Sequence, residues 1–363
     1  MKNICLIFGG NSYENEVSVI TTFFVEKVLI SNFRIFTIYK KNNKFYICKK
    51  LLNFEKIANF AKSHFHEVFF CENGFVYKKS GRKVNVDCVI NCCHGGEGEN
   101  GAIAGMMECF GIPYTSAGVY PSSLFMDKCL TKVFLRYYKI PTLPFLSAIG
   151  EIDYSSVEKI GYPIVVKPAR LGSSIGIDIA FNADELQKAI AFASGFDDKL
   201  LLEKGLTSFS ELNCAAYKRG SEIIISEIEE IVNGSKLYDF GTKYIHNDVI
   251  RNIPADISEE CKEKVIAYTR KIYEKAELEG VIRVDFLLDK IENKVYVNEV
   301  NVVPGSLAFY LFKKKGISFS ELLFDLIQEG IEKAKAYQKE IPISPNGILL
   351  KMSEESFEDG VKK

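Results

Sequence analysis

The chain carries the stretch Arg283-Val-Asp285-Phe-Leu-Leu-Asp289, and a short polar turn leads from it toward Asn298-Glu299-Val-Asn301-Val-Val-Pro304-Gly305.

 This pair of segments decides the fold prediction, because two apolar, β-branched runs flank a polar turn and so predict a β-hairpin. Glu299 and Asn301 are two residues apart, and on a strand their side chains leave the same face. If the hairpin pairs in register, Asp285 joins them from the neighbouring strand.

Two carboxylates and one amide on a shared face predict a metal site. Mg²⁺ takes one or two protein carboxylates and completes its shell with water and phosphate oxygens. The alternative is a surface hairpin with solvated charges. The direct run of Asn-Glu-x-Asn into x-x-Pro-Gly argues against that alternative.

Length and composition exclude several classes of protein. A chain of 363 residues is long enough for two or three packed domains. A net charge of −1, from 46 basic and 47 acidic residues, offers no field to attract nucleic acid or an acidic membrane. The ten cysteines include no CxxC pair, which favours free thiols in a reducing compartment. With no apolar segment of transmembrane length, we expect a cytoplasmic protein.

The first third of the chain alternates strands and helices. Apolar runs at 4–8, 33–39 and 86–93 predict strands, and residues 16–30 have the apolar spacing of a helix. This order predicts an open, parallel α/β sheet, whose ligands lie beyond the carboxyl ends of its strands. Those ends carry two glycine-rich loops, and Glu14 in the first of them suits an ammonium group. A dinucleotide site is disfavoured because the third glycine is missing.

The middle of the chain predicts a phosphate site. A strand ending in Lys167 is followed by the loop Leu171-Gly-Ser-Ser-Ile-Gly176. Backbone N–H groups of such a loop can cradle phosphate, and a lysine supplies a point charge. Taken alone, the loop favours a plain tight turn, and it is Lys167 at the end of the preceding strand that favours a phosphate site. The next predicted strand ends at Glu203, whose carboxylate could accept a hydrogen bond from an adenine amino group.

Nine motifs together resemble those of the D-alanine–D-alanine ligases, members of the ATP-grasp superfamily. They occur in the family's order from Ile4 to about Glu329, with weak matching between about Phe33 and Lys83. The motifs are GGNSYENEVS (9–18), HGGEGENG (94–101), GIPYTSAGV (111–119), MDKCLTK (126–132), VVKPARLGSSIGI (165–177), LLEKGL (201–206), YDFGTKY (238–244), VIRVDFLL (281–288) and NEVNVVPG (298–305).

The resemblance implies an α/β chain of ATP-grasp architecture and a homodimer. An N-terminal substrate domain would span residues 1–125, a central subdomain 126–208 and a C-terminal subdomain 209–340. ATP would lie between the last two. The tail 341–363 lies beyond the resemblance, and its role stays open.

The resemblance also implies roles for individual residues. Those that would contact ATP are Lys128, Lys167 and Lys243 at the phosphates, Glu203 and Lys204 at the adenine, and Glu211 at the ribose. Those that would hold two Mg²⁺ (or Mn²⁺) ions are Asp285, Glu299 and Asn301. Those that would act on the amino acids are Glu14 at the first ammonium, Ser173 and Tyr244 linked to Glu14, His94 with Glu99 near the first substrate, and Arg283 at the oxyanion.

The implied reaction is ATP-dependent joining of two D-alanine molecules through an acyl phosphate, for peptidoglycan precursors. Residues 234–250 would form a lid that excludes water.

Two departures concern the motifs: Asn100 replaces a common aspartate, and Tyr310 replaces a smaller residue at the acceptor's carboxylate. The Tyr310 hydroxyl could bind the acceptor, or the ring could simply pack in the core. Alternatives are a ligase for another acceptor, such as D-lactate, D-serine or an amine, and a nucleotide-binding protein without catalysis.

Overall fold

Three β-sheets with helices packed against them build the chain. A computed structural model describes residues 1–48, 54–60, 64–232 and 250–337. Each predicted domain contributes one sheet, of seven, four and five strands among these residues. No helix in the described ranges is long and apolar enough to cross a membrane. The ten cysteines are all free thiols, as the sequence predicted.

The N-terminal sheet has the strand order β6-β5-β4-β3-β2-β1-β7. Its strands are β1 (Asn3–Gly9), β2 (Arg34–Lys41), β3 (Lys44–Cys48), β4 (Phe65–Cys71), β5 (Gly74–Tyr77), β6 (Lys83–Asn85) and β7 (Cys88–Asn91). The accompanying helices are α1 (Asn15–Leu29), α2 (Phe54–Ala58), α3 (Ala102–Cys109) and α4 (Val119–Met126).

Among the strands of this sheet that the structure describes, β1 pairs parallel with β2 and with β7, whereas the strands from β3 to β6 pair antiparallel. The sequence predicted the parallel part and missed the antiparallel extension. Short turns, such as residues 42–43 between β2 and β3, can only connect antiparallel neighbours. The carboxyl ends of β1 and β7 nevertheless lie side by side, so the two glycine-rich loops meet as expected.

The central sheet is antiparallel, with the order β10-β9-β11-β8. Its elements are α5 (Lys128–Tyr137), β8 (Phe145–Ile149), α6 (Tyr154–Ile160), β9 (Ile164–Pro168), β10 (Asp178–Ala180), α7 (Ala183–Ser194) and β11 (Lys199–Lys204). Asp127 caps α5 by accepting from the backbone N–H groups of Cys129 and Leu130. The cap fixes the start of α5 and so places Lys128 in its first turn.

The C-terminal sheet is also antiparallel, with the order β14-β13-β12-β15-β16. Its elements are β12 (Phe209–Arg219), β13 (Glu222–Val232), β14 (Ile250–Asn252), α8 (Glu259–Lys275), β15 (Ile282–Asp289), β16 (Lys294–Asn301), a 3-10 turn (Gly305–Ala308), α9 (Phe309–Lys313) and α10 (Phe319–Tyr337).

The predicted hairpin is confirmed as β15 and β16, with Asp285 opposite Glu299 and Arg283 opposite Asn301. The register shifts after Asp285, because Phe286 pairs with Val297 and Asn298 is left as the extra residue of a β-bulge. Val284 and Phe286 point into the core, whereas Arg283 and Asp285 are only partly buried. One face of the sheet therefore packs, and the other carries the polar side chains.

Candidate active site

The hairpin residues form a compact, charge-balanced cluster. Arg283 donates from Nε and Nη2 to the two carboxylate oxygens of Asp285, at 2.6 and 2.8 Å. Asn301 donates to Asp285 Oδ2 at 3.1 Å. Lys128 Nζ lies 3.3 Å from Glu299 Oε2. Two cations thus neutralise the two carboxylates that the sequence assigned to a metal.

The donor set of this cluster fits a hard cation. Asp285 and Glu299 supply carboxylate oxygens, and the Asn301 amide can offer its oxygen if it rotates. Within the described ranges there is no group of three His, Cys, Asp or Glu side chains that could hold a metal. A site with two carboxylates and one amide is what Mg²⁺ uses when phosphates complete its shell.

A cleft opens between the central and C-terminal sheets. The central domain lines it through the end of β9, the loop after it and the start of α5; the C-terminal domain lines it through β12, β15 and β16. The lining residues are Lys128, Lys167, Leu171, Gly172, Ser174, Ile177, Glu211, Leu287, Asn298 and Glu299. Three of the predicted nucleotide residues and one predicted metal ligand therefore share a single cavity.

The two cleft lysines are held by polar contacts from separate elements. Lys128 Nζ donates to the Leu171 carbonyl at 2.6 Å, which ties α5 to the glycine- and serine-rich loop. Lys167 Nζ donates to Asn298 Oδ1 at 3.1 Å. Asn298 is the bulge residue, and the bulge turns it toward the cleft beside Glu299. Nothing in the alternation of the sequence signalled this contact.

Glu203 lies in a buried group of charges that the sequence did not predict. Its Oε2 is 2.8 Å from Lys132 Nζ, and its Oε1 contacts Lys167 Nζ. All three side chains are at most 2% exposed. Burial raises the pKa of Glu203, but Lys132 and Lys167 outweigh it and lower that pKa to about 2. Lys132 stands in the motif MDKCLTK, which was its only signal.

Two further predicted nucleotide residues lie on β11 and β12. Lys204 Nζ donates to the carbonyls of Gly161 and Tyr162, at 3.1 and 2.6 Å. Glu211 lines the cleft from β12. Lys243 and Tyr244 fall outside the described residues, as do nearly all of the predicted lid and the tail 341–363.

Glu14 and Ser173 meet across 159 residues of sequence: the Ser173 hydroxyl donates to Glu14 Oε1. Two glycines make this approach possible. A Cβ at Gly172 would lie 2.9 Å from Glu14 Oε2, and one at Gly95 would lie 2.6 Å from the same atom. The Glu14 carboxylate, at the start of α1, is therefore enclosed by the glycine- and serine-rich loop and by the loop after β7.

His94 connects the N-terminal domain to the segment after β16. Its Nδ1 donates to the Val303 carbonyl at 2.7 Å, because a carbonyl can only accept, and its Nε2 accepts from the Thr21 hydroxyl at 2.8 Å. Thr21 Oγ1 in turn accepts from the Ser306 backbone N–H at 3.1 Å. Burial lowers the pKa of His94 to about 4. The ring is therefore neutral at pH 7, and Thr21 is a partner that no sequence motif indicated.

Glu99 lies beside His94, as the resemblance implied. Its Oε1 accepts from the Gly95 backbone N–H at 3.0 Å and lies 3.9 Å from His94 Nδ1. Burial, and after it the charge of Glu14, raises the pKa of Glu99 to about 8. The pair is therefore predominantly uncharged at pH 7.

A second contact fixes the two glycine-rich loops against each other. Lys40, buried near the end of β2, places Nζ 2.8 Å from Glu97 Oε1. Glu97 Oε2 accepts from the Asn11 backbone N–H at 3.0 Å. Lys40 and Glu97 were not predicted, and they hold the loops that carry Glu14 and His94.

Tyr310 is the second residue of α9, a helix that directly follows three consecutive residues with positive φ, Ser306, Leu307 and Ala308, at 51°, 51° and 49°. Such a run is rare outside glycine and marks a strained segment beside the site. The Tyr310 hydroxyl donates to Glu229 Oε2 at 3.1 Å. Burial raises the pKa of Tyr310 to about 12, against the lowering effect of Arg283.

The chain is similar in sequence to two family models and to individual proteins of known name. Residues 3–117 match the family model described as D-ala D-ala ligase N-terminus, and residues 143–328 match D-ala D-ala ligase C-terminus. A D-alanine–D-alanine ligase of Thermosipho africanus is 36% identical over 361 residues, covering 94% of this chain and 96% of the relative. One from Campylobacter jejuni serotype O:2 is 35% identical over 314 residues, covering 85% and 88%.

Solved structures show the same architecture. The D-alanyl-alanine synthetase A of Vibrio cholerae matches with a TM-score of 0.78 at 26% identity, over 91% of this chain and 98% of that one. The VanG D-Ala:D-Ser ligase of Enterococcus faecalis also matches with a TM-score of 0.78, at 29% identity, over 90% and 98%. The α/β, ATP-grasp prediction is confirmed by these neighbours.

Proposed function

The chain belongs to the D-alanine–D-alanine ligase family, and we propose that it joins two D-alanine molecules at the expense of ATP. The observation that carries this proposal is the contact between Glu14 and Ser173. It holds a carboxylate suited to an amino acid's ammonium against the loop suited to phosphate. An amino acid bound there presents its own carboxylate toward the phosphate-binding cleft.

The first step activates the carboxylate. An oxygen of the first D-alanine carboxylate attacks the γ-phosphorus of ATP, the bond to the β-phosphate oxygen breaks, and ADP leaves with D-alanyl phosphate formed. Catalysis of such a transfer rests on positioning and charge neutralisation. Lys128 and Lys167 border the cleft and supply two of the positive charges. Lys204 and Glu211 would bind the adenosine, and Lys243 the γ-phosphate. Glu203 would position Lys167, because its buried carboxylate is in contact with that lysine.

The second step forms the peptide bond. The free amine of a second D-alanine attacks the acyl carbon, the C–N bond forms, the C–O bond to phosphate breaks, and the nitrogen's proton leaves with phosphate. Arg283 would stabilise the oxyanion between attack and collapse. Its guanidinium is held in place by two hydrogen bonds to Asp285. His94, neutral at pH 7, orients the segment after β16 rather than moving a proton.

Asp285, Glu299 and the amide oxygen of Asn301 would hold the divalent cation, Mg²⁺ or Mn²⁺. When bound, the cation supplies charge neutralisation at the ATP phosphates. Lys128, whose Nζ lies 3.3 Å from Glu299 Oε2, supplies a further positive charge at the same place. Tyr244 would complete the enclosure of Glu14 begun by Ser173.

We also propose domains at 1–125, 126–208 and 209–340, which is supported by the confinement of each sheet to one of these ranges. We extend the proposal to a homodimer in the cytoplasm that makes the dipeptide for peptidoglycan precursors. Membership of the family supports these points.

The test is ATP-dependent phosphate release with D-alanine alone, with mass spectrometry of the product. Formation of the dipeptide with stoichiometric ADP and phosphate is the expected result. Release only after D-serine, D-lactate or another amine is added would replace the acceptor in this proposal. ATP binding without release for any pair would overturn the ligase activity itself.

A further inference from the structure

Glu229 is a fully buried carboxylate in the polar face of the C-terminal sheet. It lies on β13 and has 0% exposure. Glutamate is almost never buried completely unless it is paired, because an uncompensated charge in the interior is very costly. Its partners therefore indicate what keeps it there.

Three donors satisfy the Glu229 carboxylate. Asn213 Nδ2 donates to Oε2 at 2.8 Å, and the Tyr310 hydroxyl donates to the same oxygen at 3.1 Å. Arg251 Nη1 donates to Oε1 at 3.0 Å. A carboxylate only accepts, so the hydroxyl proton of Tyr310 is committed to Glu229. The same hydroxyl cannot use that proton for an acceptor's carboxylate.

The position of Glu229 in the sheet links it to the reaction centre. Glu229 is opposite Asn213, Asn213 is opposite Asp285, and Asp285 is opposite Glu299. Residues directly opposite in an antiparallel sheet share a face. These four side chains thus form one polar row across β13, β12, β15 and β16. Tyr310 reaches the row from α9.

We infer that Glu229 is a positioning residue for the second half-reaction: it fixes Tyr310, so that the ring of Tyr310 and not its hydroxyl borders the second amino acid. This inference rests on the proposed function. The resemblance implies that Tyr310 lies at the acceptor's carboxylate, and the anchored ring would give that pocket a fixed wall. The proposal distinguishes Glu229 from a simple structural ion pair with Arg251, because it assigns a consequence to one half-reaction only.

The two half-reactions can be measured separately. Hydroxylamine intercepts D-alanyl phosphate as a hydroxamate and reports activation without the second D-alanine. Dipeptide formation at increasing D-alanine reports the acceptor. The variants are Glu229→Gln, Tyr310→Phe and their combination. The matched control is Glu230→Gln, since Glu230 is the adjacent buried glutamate of β13 and accepts from Ser210 at 2.8 Å instead.

We expect Glu229→Gln and Tyr310→Phe each to raise the KM for the second D-alanine about tenfold, the loss that one charge-assisted hydrogen bond produces. Hydroxamate formation should stay within twofold of the wild type. The double variant should be no worse than the poorer single variant, because both changes remove the same contact. Glu230→Gln should leave the KM for the second D-alanine unchanged.

Additive losses in the double variant, or a fall in hydroxamate that matches the fall in dipeptide, would overturn the role of Glu229. An equal effect of Glu230→Gln would also overturn it, because the effect would then be one of general stability. Tyr310→Phe keeps the inference testable if Glu229→Gln fails to fold. A wild-type enzyme that makes no dipeptide from D-alanine overturns the proposed function. If the wild type makes the dipeptide and only the results for the Glu229 and Tyr310 variants differ from expectation, the proposed function stands.

Discussion

Lys132 and Glu203 form an ion pair at 2.8 Å in which the lysine side chain has no solvent exposure and the glutamate 1%. Lys167 contacts the other oxygen of Glu203, so one carboxylate holds two lysines. Of these three residues, Lys167 lines the cleft, whereas Lys132 and Glu203 do not. Lys132 therefore acts on the cleft through Glu203, as a positioning residue.

Replacement of Lys132 by methionine leaves Glu203 with one cationic partner. We expect a loss of about 3 to 5 kcal/mol in the free energy of unfolding, as for other broken buried pairs. Glu203 should then draw Lys167 away from the phosphates and raise the KM for ATP about tenfold or more. Denaturant unfolding measures the free energy of unfolding, and steady-state kinetics at varied ATP concentration measures the KM for ATP. The control is Lys264→Met, because Lys264 belongs to an exposed ion pair on α8. If Lys132→Met changed the free energy of unfolding and the KM for ATP no more than Lys264→Met does, Lys132 would not be a positioning residue.

Ser173→Ala removes the hydrogen bond to Glu14 without changing the volume of the loop appreciably. A hydrogen bond to a charged group contributes about 1.5 to 3 kcal/mol. We expect the KM for the first D-alanine to rise by about one to two orders of magnitude, with the KM for ATP changed far less. The measurement is hydroxamate formation against D-alanine concentration. Ser155→Ala, at the exposed cap of α6, should behave as wild type. If Ser173→Ala and Ser155→Ala gave the same KM for the first D-alanine, the hydrogen bond from Ser173 to Glu14 would have no part in binding it.

His94 makes the stability depend on pH. Its folded-state pKa of about 4 lies below the ordinary value of 6.5, so the unfolded chain binds this proton first as the pH falls. The stabilisation is complete above pH 6.5 and is lost progressively down to pH 4. Each pKa unit corresponds to about 1.4 kcal/mol, which gives a loss of about 3 kcal/mol.

Comparison with His94→Gln isolates this contribution. Glu99 titrates in the opposite sense, because its raised pKa of about 8 means that its stabilising contribution is lost as the pH rises from 4.5 to 8. The difference between wild type and His94→Gln removes that common effect and should shrink between pH 6.5 and 4. His66→Gln, at an exposed position on β4, supplies the control. A difference that stays constant with pH would show that His94 does not titrate as expected.

The hairpin and the glycine-rich loops could be predicted because their signals are local. Alternation along 283–289 and 294–301 predicts the strands. The pairing of Asp285 with Glu299 depends on the β-bulge at Asn298, because a register continued unbroken from Asp289 opposite Lys294 would bring Asp285 opposite Asn298. The antiparallel strands β3 to β6 were missed, since runs such as Phe65–Cys71 alternate poorly. Tertiary neighbours, and not local pattern, determine their conformation.

The residues that the sequence did not reveal act over long separations. Thr21 meets His94 across 73 residues, and Tyr310 meets Glu229 across 81. Neither Thr21 nor Glu229 differs in type or spacing from an ordinary helix or strand residue. Only the packing of the N-terminal domain against the segment after β16, and of α9 against β13, brings them to the site.

Glu299→Gln tests the metal site apart from turnover. The change keeps the volume of the side chain and removes one of two carboxylates, so the affinity for Mg²⁺ or Mn²⁺ should fall. We expect the Mn²⁺ concentration at half-saturation in the presence of ADP, followed by paramagnetic relaxation of water, to rise at least tenfold. Activity at saturating ATP should fall by two orders of magnitude or more, because charge neutralisation at the phosphates is lost.

Loss of Glu299 also frees Lys128 from its ion pair at 3.3 Å, so the free energy of unfolding should change by no more than about 1 kcal/mol. Glu292→Gln, in the exposed turn of the same hairpin, should retain both Mn²⁺ affinity and activity. Unaltered Mn²⁺ binding by Glu299→Gln would remove Glu299 from the metal site and leave Asp285, which is held by Arg283 and Asn301, as its remaining carboxylate.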